Sequence, residues 1–360
     1  MRYLPPMVTL SKLEDLDANP FDDVIDVRSP SEFAEDHLPG AINLPVLSDA
    51  ERARVGTIYK QESQFLARKI GAALVFANAA RHLETALADR PGAWRPLVYC
   101  WRGGQRSGSF SWMLREIGWR AETVAGGYRS YRRLVVGALY DAPLPHRLVL
   151  LGGYTGTAKT DLLARLPARG VQVLDLEGLA RHRGSLLGAG PDPQPSQKSF
   201  ESALAAGLRA CDPARPVVVE AESSRIGRVT LPPAFWAAMG AAPTVAVDAP
   251  LDARARYLAR AYADIFADSA ALKAKLAPLR RFRGRATVDA WGRLIDAGEP
   301  VAICQALAED HYDPAYDRAM AAQGRTPQAR VSAAELTDAA LEKVADAVAV
   351  AVENVAQAAP

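Results

Sequence analysis

Short apolar runs alternate along the chain with stretches of helical spacing. In the first half, Asp23–Val27 and Pro96–Tyr99 have strand length and apolar character, and a helix is expected from about Ser107 to Ile117. In the second half, Leu148–Leu151, Gln172–Asp175, Val217–Glu220 and Thr244–Asp248 read the same way. Strands that alternate with helices predict an α/β protein with mainly parallel sheets flanked by helices. The run Tyr140-Asp141-Ala142-Pro143-Leu144-Pro145-His146 carries two prolines and reads as a linker. The expected division is a first domain over 1–137, a linker over 138–147, a second domain over 148–325 and a C-terminal helix over 326–360. That last helix rests on the alanine- and valine-rich stretch Val331–Gln357. No internal repeat is visible, and the proline cluster Pro191–Pro195 is the only biased tract.

Length and composition narrow the class. At roughly 150 residues per domain, 360 residues make about two domains. Hydrophobic residues are 49% and charged residues 23%, an ordinary globular balance. The net charge of +2 excludes an acidic tail protein or a polycation, so nucleic-acid binding must come from local basic patches. Three scattered cysteines are too few for a disulfide scaffold and suggest a reducing, cytoplasmic setting. Met1–Pro6 opens no apolar core of signal-peptide length, and no stretch approaches the roughly 18 apolar residues of a membrane helix.

Candidate chemistry starts at Cys100, which follows an apolar run and opens Cys100-Trp101-Arg102-Gly103-Gly104-Gln105-Arg106-Ser107. A loop between a strand end and a helix N-terminus gathers backbone N–H donors, and the helix dipole favours an anion there. A cysteine so placed should ionise readily, and the thiolate is the nucleophile. Arg102 and Arg106 add positive charge, while Gly103 and Gly104 let the backbone fold tightly. Cys211 and Cys304 lack such a setting and read as structural cysteines.

Upstream lie Asp26-Val27-Arg28, Glu32-Phe33 and His37-Leu38-Pro39-Gly40-Ala41-Ile42-Asn43. With the cysteine loop, these runs resemble the rhodanese family of sulfurtransferases. The resemblance implies that Cys100 carries a transferable chalcogen, with Asp26 and Arg28 supporting the fold. The spacing Cys-x5-Arg is one residue longer than a common rhodanese loop and is also that of cysteine phosphatases. A larger loop could hold a larger anion, or a chalcogen bigger than sulfur.

The second domain opens with Leu148–Leu151 and then Gly152-Gly153-Tyr154-Thr155-Gly156-Thr157-Ala158-Lys159-Thr160. This is nearly a P-loop. Its N–H groups, with Gly153, Thr155 and Gly156, would cradle phosphates; Lys159 supplies a point charge and Thr160 can reach magnesium. Ala158 stands where the pattern wants glycine, and alanine lacks glycine's freedom at positive φ. Glu220 or Glu222, ending the strand Val217–Glu220, could support the metal.

Several runs bring both halves to one family: Asp175–Ser185, Ser196–Glu201, Glu222–Gly227 and His311–Tyr316. With Cys100–Gly104, these resemble the tRNA 2-selenouridine synthase family over about residues 10–320. The resemblance implies replacement of sulfur by selenium in 2-thiouridine at the tRNA wobble position. It implies selenophosphate and geranyl diphosphate as substrates, an S-geranyl intermediate, the tRNA anticodon loop as partner and a selenophosphate-supplying enzyme as a further one. The P-loop would then hold the diphosphate of the prenyl donor. No tightly bound cofactor is expected beyond magnesium at Thr160, and no membrane partner. His182, Arg183, Ser185, Glu222 and Arg225 become candidate contacts for the donor or the tRNA, while His311 reads as a packing residue.

A tRNA partner needs a basic surface. Lys273, Lys275, Arg280, Arg281, Arg283, Arg285 and Arg293 face a single acid, Asp289, with Phe282 and Trp291 interleaved. Cations with aromatics suit phosphate neutralisation and stacking of an unpaired base, so Arg280, Arg281 and Arg283 are candidate RNA contacts. Glu51–Lys60 reads as an inserted helix facing the cysteine loop or the RNA. The rival reading is a P-loop kinase or NTPase fused to a Cys-x5-Arg phosphatase-like module.

Overall fold

A computed structural model describes residues 6–17, 20–184, 187–188, 192–322, 324 and 326–358. The chain forms two compact units. One comprises Met1–Ala142 with Pro195–Arg209, the other Pro143–Gln194 with Ala210–Pro360.

The first unit is built on β1 (Met7–Val8), β2 (Asp23–Asp26), β3 (Ile42–Asn43), β4 (Pro96–Tyr99) and β5 (Glu122–Val124). They form one parallel sheet in the order β1-β5-β4-β2-β3. The expected helix after the cysteine loop runs over Gln105–Ile117 and stops at Gly118, which takes φ +112°. The expected inserted helix runs over Asp49–Gln61, opened by Ser48, whose hydroxyl accepts from the Glu51 N–H. Ile25, Val27, Val46, Leu87, Val98, Phe110 and Leu114 form the core beneath.

The helix Gln197–Arg209 also belongs to this unit, although its sequence lies within the stretch that the apolar pattern groups with the second domain. Its position follows from what it buries. Phe200, Leu204 and Leu208 are buried, and Ser202 Oγ donates to the buried Asp36 at 2.9 Å. Glu201, 1% exposed, accepts from Tyr140 at 2.6 Å and pairs with Arg132. A buried carboxylate needs such partners, and they lie far away in sequence.

The second unit contains β6 (Leu148–Gly152), β7 (Gln172–Leu174), β8 (Val217–Glu220), a small hairpin of β9 (Arg225–Ile226) and β10 (Val229–Thr230), β11 (Thr244–Asp248) and β12 (Ala329–Ser332). The main sheet is parallel with order β12-β11-β6-β8-β7. β6 is buried along its whole length, as its unbroken apolar run requires. The C-terminal stretch is not all helix. Val331 pairs with Val247 in an edge strand, and the helix starts only at Asp338, running to Ala358. Four residues with one buried side chain are too short for the pattern to separate from the helix that follows. Leu341, Val344, Val348, Val352 and Val355 pack this helix against the same core as β6 and β11. No helix among the described residues is long and apolar enough to cross a membrane.

Candidate functional site

Cys100 directly follows β4 and is 4% exposed. Its Sγ accepts from the Gly104 N–H at 3.4 Å and from Ser107 Oγ at 3.2 Å. Burial opposes ionisation of the thiol, but the Ser107 hydrogen bonds, the Arg106 charge and the Gly104 N–H outweigh it and hold the thiol below its ordinary pKa. Gly103 is required by geometry. It takes φ +63°, and a Cβ there would sit 2.5 Å from the Val124 carbonyl oxygen. Arg106 is half-buried and engages Glu32 through both terminal nitrogens, at 2.8 and 3.3 Å, while Arg52 meets the same carboxylate at 3.0 Å. Arg106 is therefore a neighbouring charge held by Glu32, not the free guanidinium fork that a Cys-x5-Arg phosphatase aims at its phosphate. Arg102 is exposed.

Support beneath the loop comes from Asp26 and Arg28, as the sequence implies. Arg28 is 1% exposed, bonds both Asp26 oxygens and the Asp36 carbonyl, and lies 4.1 Å from the Tyr128 ring centroid. Tyr128 in turn packs against Trp101 at a 32° tilt, ring centroids 5.2 Å apart, and donates to Asp36 at 2.7 Å. Sequence assigned no role to Ser107, Glu32 or Asp36, although Glu32 lies in one of the runs that carry the resemblance. The serine, directly after Arg106 in the first turn of the helix, and Glu32, within the Glu32-Phe33 run, were visible in sequence; Asp36 was not.

In the second unit, the loop from β6 to the helix Lys159–Arg165 lines a cleft of about 920 Å³. Gly153, Thr155, Gly156, Lys159 and Thr160 all border it, with Arg183 and Glu222. Gly156 takes φ +88°, and a Cβ there would lie 2.8 Å from Leu258 Cδ1, so the loop can approach the helix Leu251–Ala261 only as glycine. Ala158 adopts φ 58° and ψ 32°, the left-handed conformation the pattern reserves for glycine, while 3% exposed. The loop thus keeps its P-loop path at the cost of local strain.

Lys159 Nζ folds back onto its own loop, donating to the carbonyls of Gly153 at 2.9 Å and Tyr154 at 3.2 Å. Burial lowers its ammonium pKa, against the pull of Glu222, Glu177 and Glu220. Thr160 Oγ1 donates to Glu177 at 3.0 Å. Burial first, and then the adjacent Glu222 charge, push Glu177 up to about 7. Glu220, 1% exposed, rises to about 9 through burial and the Asp175 charge, with one oxygen accepting from Leu176 N–H and the other unpartnered. Arg254, 4% exposed, braces the loop by donating to Thr155 O at 3.1 Å while it holds Asp313 at 2.9 and 2.7 Å. Tyr316 Oη accepts from Gly153 N–H at 3.1 Å. Residues of the His311–Tyr316 run therefore buttress the loop. Glu177, Arg254 and Asp313 were not singled out from sequence.

The other candidates scatter. Arg183 borders the cleft over Tyr262, 5.0 Å from its centroid. His182 lies outside the lining with a buried, unpartnered Nδ1. Arg225 is exposed, donates to Gly227 O at 2.9 Å and does not line the cleft. Ser185 lies outside the described residues. In the basic segment, Arg280 meets Asp289 at 2.6 Å and Arg285 meets it at 3.5 Å. Arg283 bonds the His311 ring and carbonyl, which fits the packing role expected of His311. Arg281 and Phe282 are exposed. Trp291 is not a stacking platform: it is 1% exposed, sits in the core beside Val288 and Ile295, and donates to Asp310 at 3.0 Å. Its spacing on an amphipathic helix points inward, which composition alone hides. Among the described residues, no group of three or more His, Cys, Asp or Glu could hold a metal ion.

Comparison with known proteins joins the two loops. Residues 9–134 match the model of a rhodanese-like domain, and residues 146–287 match that of the tRNA 2-selenouridine synthase AAA domain. A tRNA 2-selenouridine synthase from Hahella chejuensis is 40% identical over 250 residues, covering 66% of this chain and 63% of the relative. One from Shewanella halifaxensis is 38% identical over 245 residues, covering 66% and 65%. Another, from Cupriavidus pinatubonensis, is 36% identical over 297 residues, covering 80% and 76%. The chain thus spans less than two thirds of the length of the first two. A thiolate loop and a phosphate loop on successive α/β units, each inside its matching segment, and a relative matched over three quarters of its length place this chain in the tRNA 2-selenouridine synthase family.

Proposed function

We propose that the protein is a tRNA-modifying transferase that exchanges the sulfur of wobble 2-thiouridine for selenium from selenophosphate. The exchange proceeds through S-geranylation by geranyl diphosphate. The relatives' name and the two matched domains support the tRNA and selenium parts. Support for the prenyl part comes from the cleft itself. Lys159 and the loop residues share the lining with Tyr257, Leu258, Tyr262, Leu336 and Leu341, alongside polar side chains such as Arg183, Arg260 and Asp338. The presence of an anion cradle and apolar side chains in one cleft is the observation that carries the reading, because it suits a diphosphate bearing a hydrocarbon tail.

In this mechanism the thiocarbonyl sulfur of the base attacks C1 of the donor, the C1–O bond breaks and diphosphate departs. Lys159 and the loop N–H groups stabilise the charge that accumulates on the departing diphosphate. To do so, Lys159 exchanges its two carbonyl partners for phosphate oxygens. A magnesium ion would be held by Thr160 with the donor's phosphates and a carboxylate such as Glu177 or Glu222; these are the hard oxygen donors it prefers, and it would supply further charge stabilisation there. Alkylation turns a poor leaving group into a thiolate that selenium can displace. Cleavage of the P–Se bond of selenophosphate by water releases the selenium as hydrogen selenide with phosphate, and this displaces the geranyl thiolate with no change of oxidation state; the Cys100 loop, its thiolate favoured by Ser107 and Gly104, is the place proposed for this delivery. The setting is cytoplasmic, and a selenophosphate-supplying enzyme is the natural partner.

The test is binding and turnover of geranyl diphosphate. The protein should bind it with magnesium and transfer the geranyl group to 2-thiouridine tRNA. Binding of ATP with no geranyl transfer would instead support the NTPase reading.

A further inference from the structure

The sequence directs attention to residues 273–293 for RNA contact, but the mouth of the cysteine loop carries its own row of cations. The helix Tyr128–Val136 begins directly against that loop: Tyr128 N–H donates to Cys100 O at 2.9 Å, and Arg129 N–H donates to Trp101 O at 3.1 Å. Arg129 and Arg133 are both exposed and four residues apart, so they lie on one face of the helix about 6 Å apart along its axis. The Arg133 guanidinium reaches back over the turn that supports the loop, 3.9 Å from where a Cβ on Gly126 would stand. Arg102 adds a third exposed cation from within the loop. Among the described residues none of the three pairs with a carboxylate, whereas neighbouring Arg132 and Arg106 are tied to Glu201 and Glu32. Beside them, Trp101 is half-exposed, its ring fixed from below by Tyr128.

We propose that this rim is an RNA-docking surface. In it Arg102, Arg129 and Arg133 hold backbone phosphates of a single-stranded loop, and Trp101 offers a face on which a splayed base stacks beside Cys100. The inference rests on the reading of tRNA as substrate. Its geometry favours a polymer over a small oxyanion. Arg129 and Arg133 are strung along a helix instead of converging on Sγ, where the Gly104 N–H and Ser107 already point. A row of guanidinium groups with one rigid aromatic is the arrangement that tracks a strand and reads an unstacked base.

The test uses the full chain and a tRNA carrying 2-thiouridine at the wobble position. Affinity is measured across a salt series for the wild type, for Arg129→Glu with Arg133→Glu, and for Arg129→Lys with Arg133→Lys. The charge-reversed protein should lose roughly tenfold or more in affinity, and its slope of log K against log salt should flatten by about 0.7 per lost contact. The lysine protein should keep most of both. Alkylation of Cys100 by iodoacetamide should proceed at the same rate in all three, showing that the loop is intact. Unchanged affinity and slope in the charge-reversed protein, with normal Cys100 alkylation, would overturn the proposal and leave RNA contact to residues 273–293. A wild-type protein that fails to bind the tRNA would instead contradict the function on which the inference rests.

Discussion

Around Cys100 the carboxylates are occupied: Glu32 is shared by Arg106 and Arg52, and Asp36 is capped by Tyr128 and Ser202. Around Lys159 the carboxylates crowd in, with Glu177 and Glu222 touching each other and Glu220 beneath them. Both loops join a parallel strand to a helix N-terminus. The first is set for an anion that the protein itself supplies, and its donors already point at Sγ. The second is the loop proposed to receive an anion; its lysine donates to backbone carbonyls, and burial with the Glu222 charge pushes Glu177 up to about 7. Under the proposed function, the same local architecture would serve a resident nucleophile in one unit and an incoming diphosphate in the other.

Four substitutions would break or sharpen this contrast. The largest effect is expected from Lys159→Ala, which removes the charge proposed to stabilise the leaving diphosphate. Geranylation should fall by roughly a hundredfold to a thousandfold, as for other lost charge-stabilising donors. Cys100 alkylation should be untouched; geranylation left intact would mean that the second loop does not hold the donor. Next is Ser107→Ala. Without that hydroxyl the Cys100 thiol should titrate higher, so its alkylation profile should move to higher pH with the same plateau. A profile that stays in place would show that the loop amide and Arg106 suffice.

Glu177→Gln addresses the crowded carboxylates. The folded pKa of Glu177 lies above its ordinary 4.5, at about 7, so the native state binds more protons than the unfolded chain between those values. Stability is therefore lost as pH rises through that window, and it is fully present only below it. The glutamine variant should flatten the fall in Tm between about pH 4.5 and 7, and an unaltered slope would show that Glu177 does not carry it. The smallest effect is expected from Ala158→Gly. Glycine relieves the left-handed strain but adds freedom to the unfolded chain and removes a buried methyl, so the net change should stay within about 1 kcal/mol. A calorimetric scan and a donor titration check whether the alanine limits affinity.

Much of this was legible in the chain because both loops are contiguous. Cys100–Arg106 and Gly153–Thr160 each announce a strand, a tight turn and a helix within a dozen residues, and the six principal strands expected from the apolar runs are present. What stayed hidden depends on distance in sequence. Asp36 meets Ser202, Arg254 meets Asp313, and the Gln197–Arg209 helix joins the first unit, none of which a local pattern encodes. The two-residue strands β1 and β3 are too short to show a period. Trp291 misled because its aromatic character was weighed without its helical face. Arg129 and Arg133 passed unnoticed because their proximity to Cys100 exists only after β5 folds beside β4.

The central claim is a division of labour between the two loops on one nucleoside, and nucleoside mass spectrometry tests it most directly. Wild-type protein and Cys100→Ser would each be given 2-thiouridine tRNA, geranyl diphosphate, magnesium and selenophosphate, and the wobble nucleoside weighed after digestion. The wild type should yield the seleno-nucleoside, and Cys100→Ser should stop at the geranyl-thio product. Full selenation by Cys100→Ser, or unchanged 2-thiouridine from a folded, tRNA-binding wild type, would contradict the account.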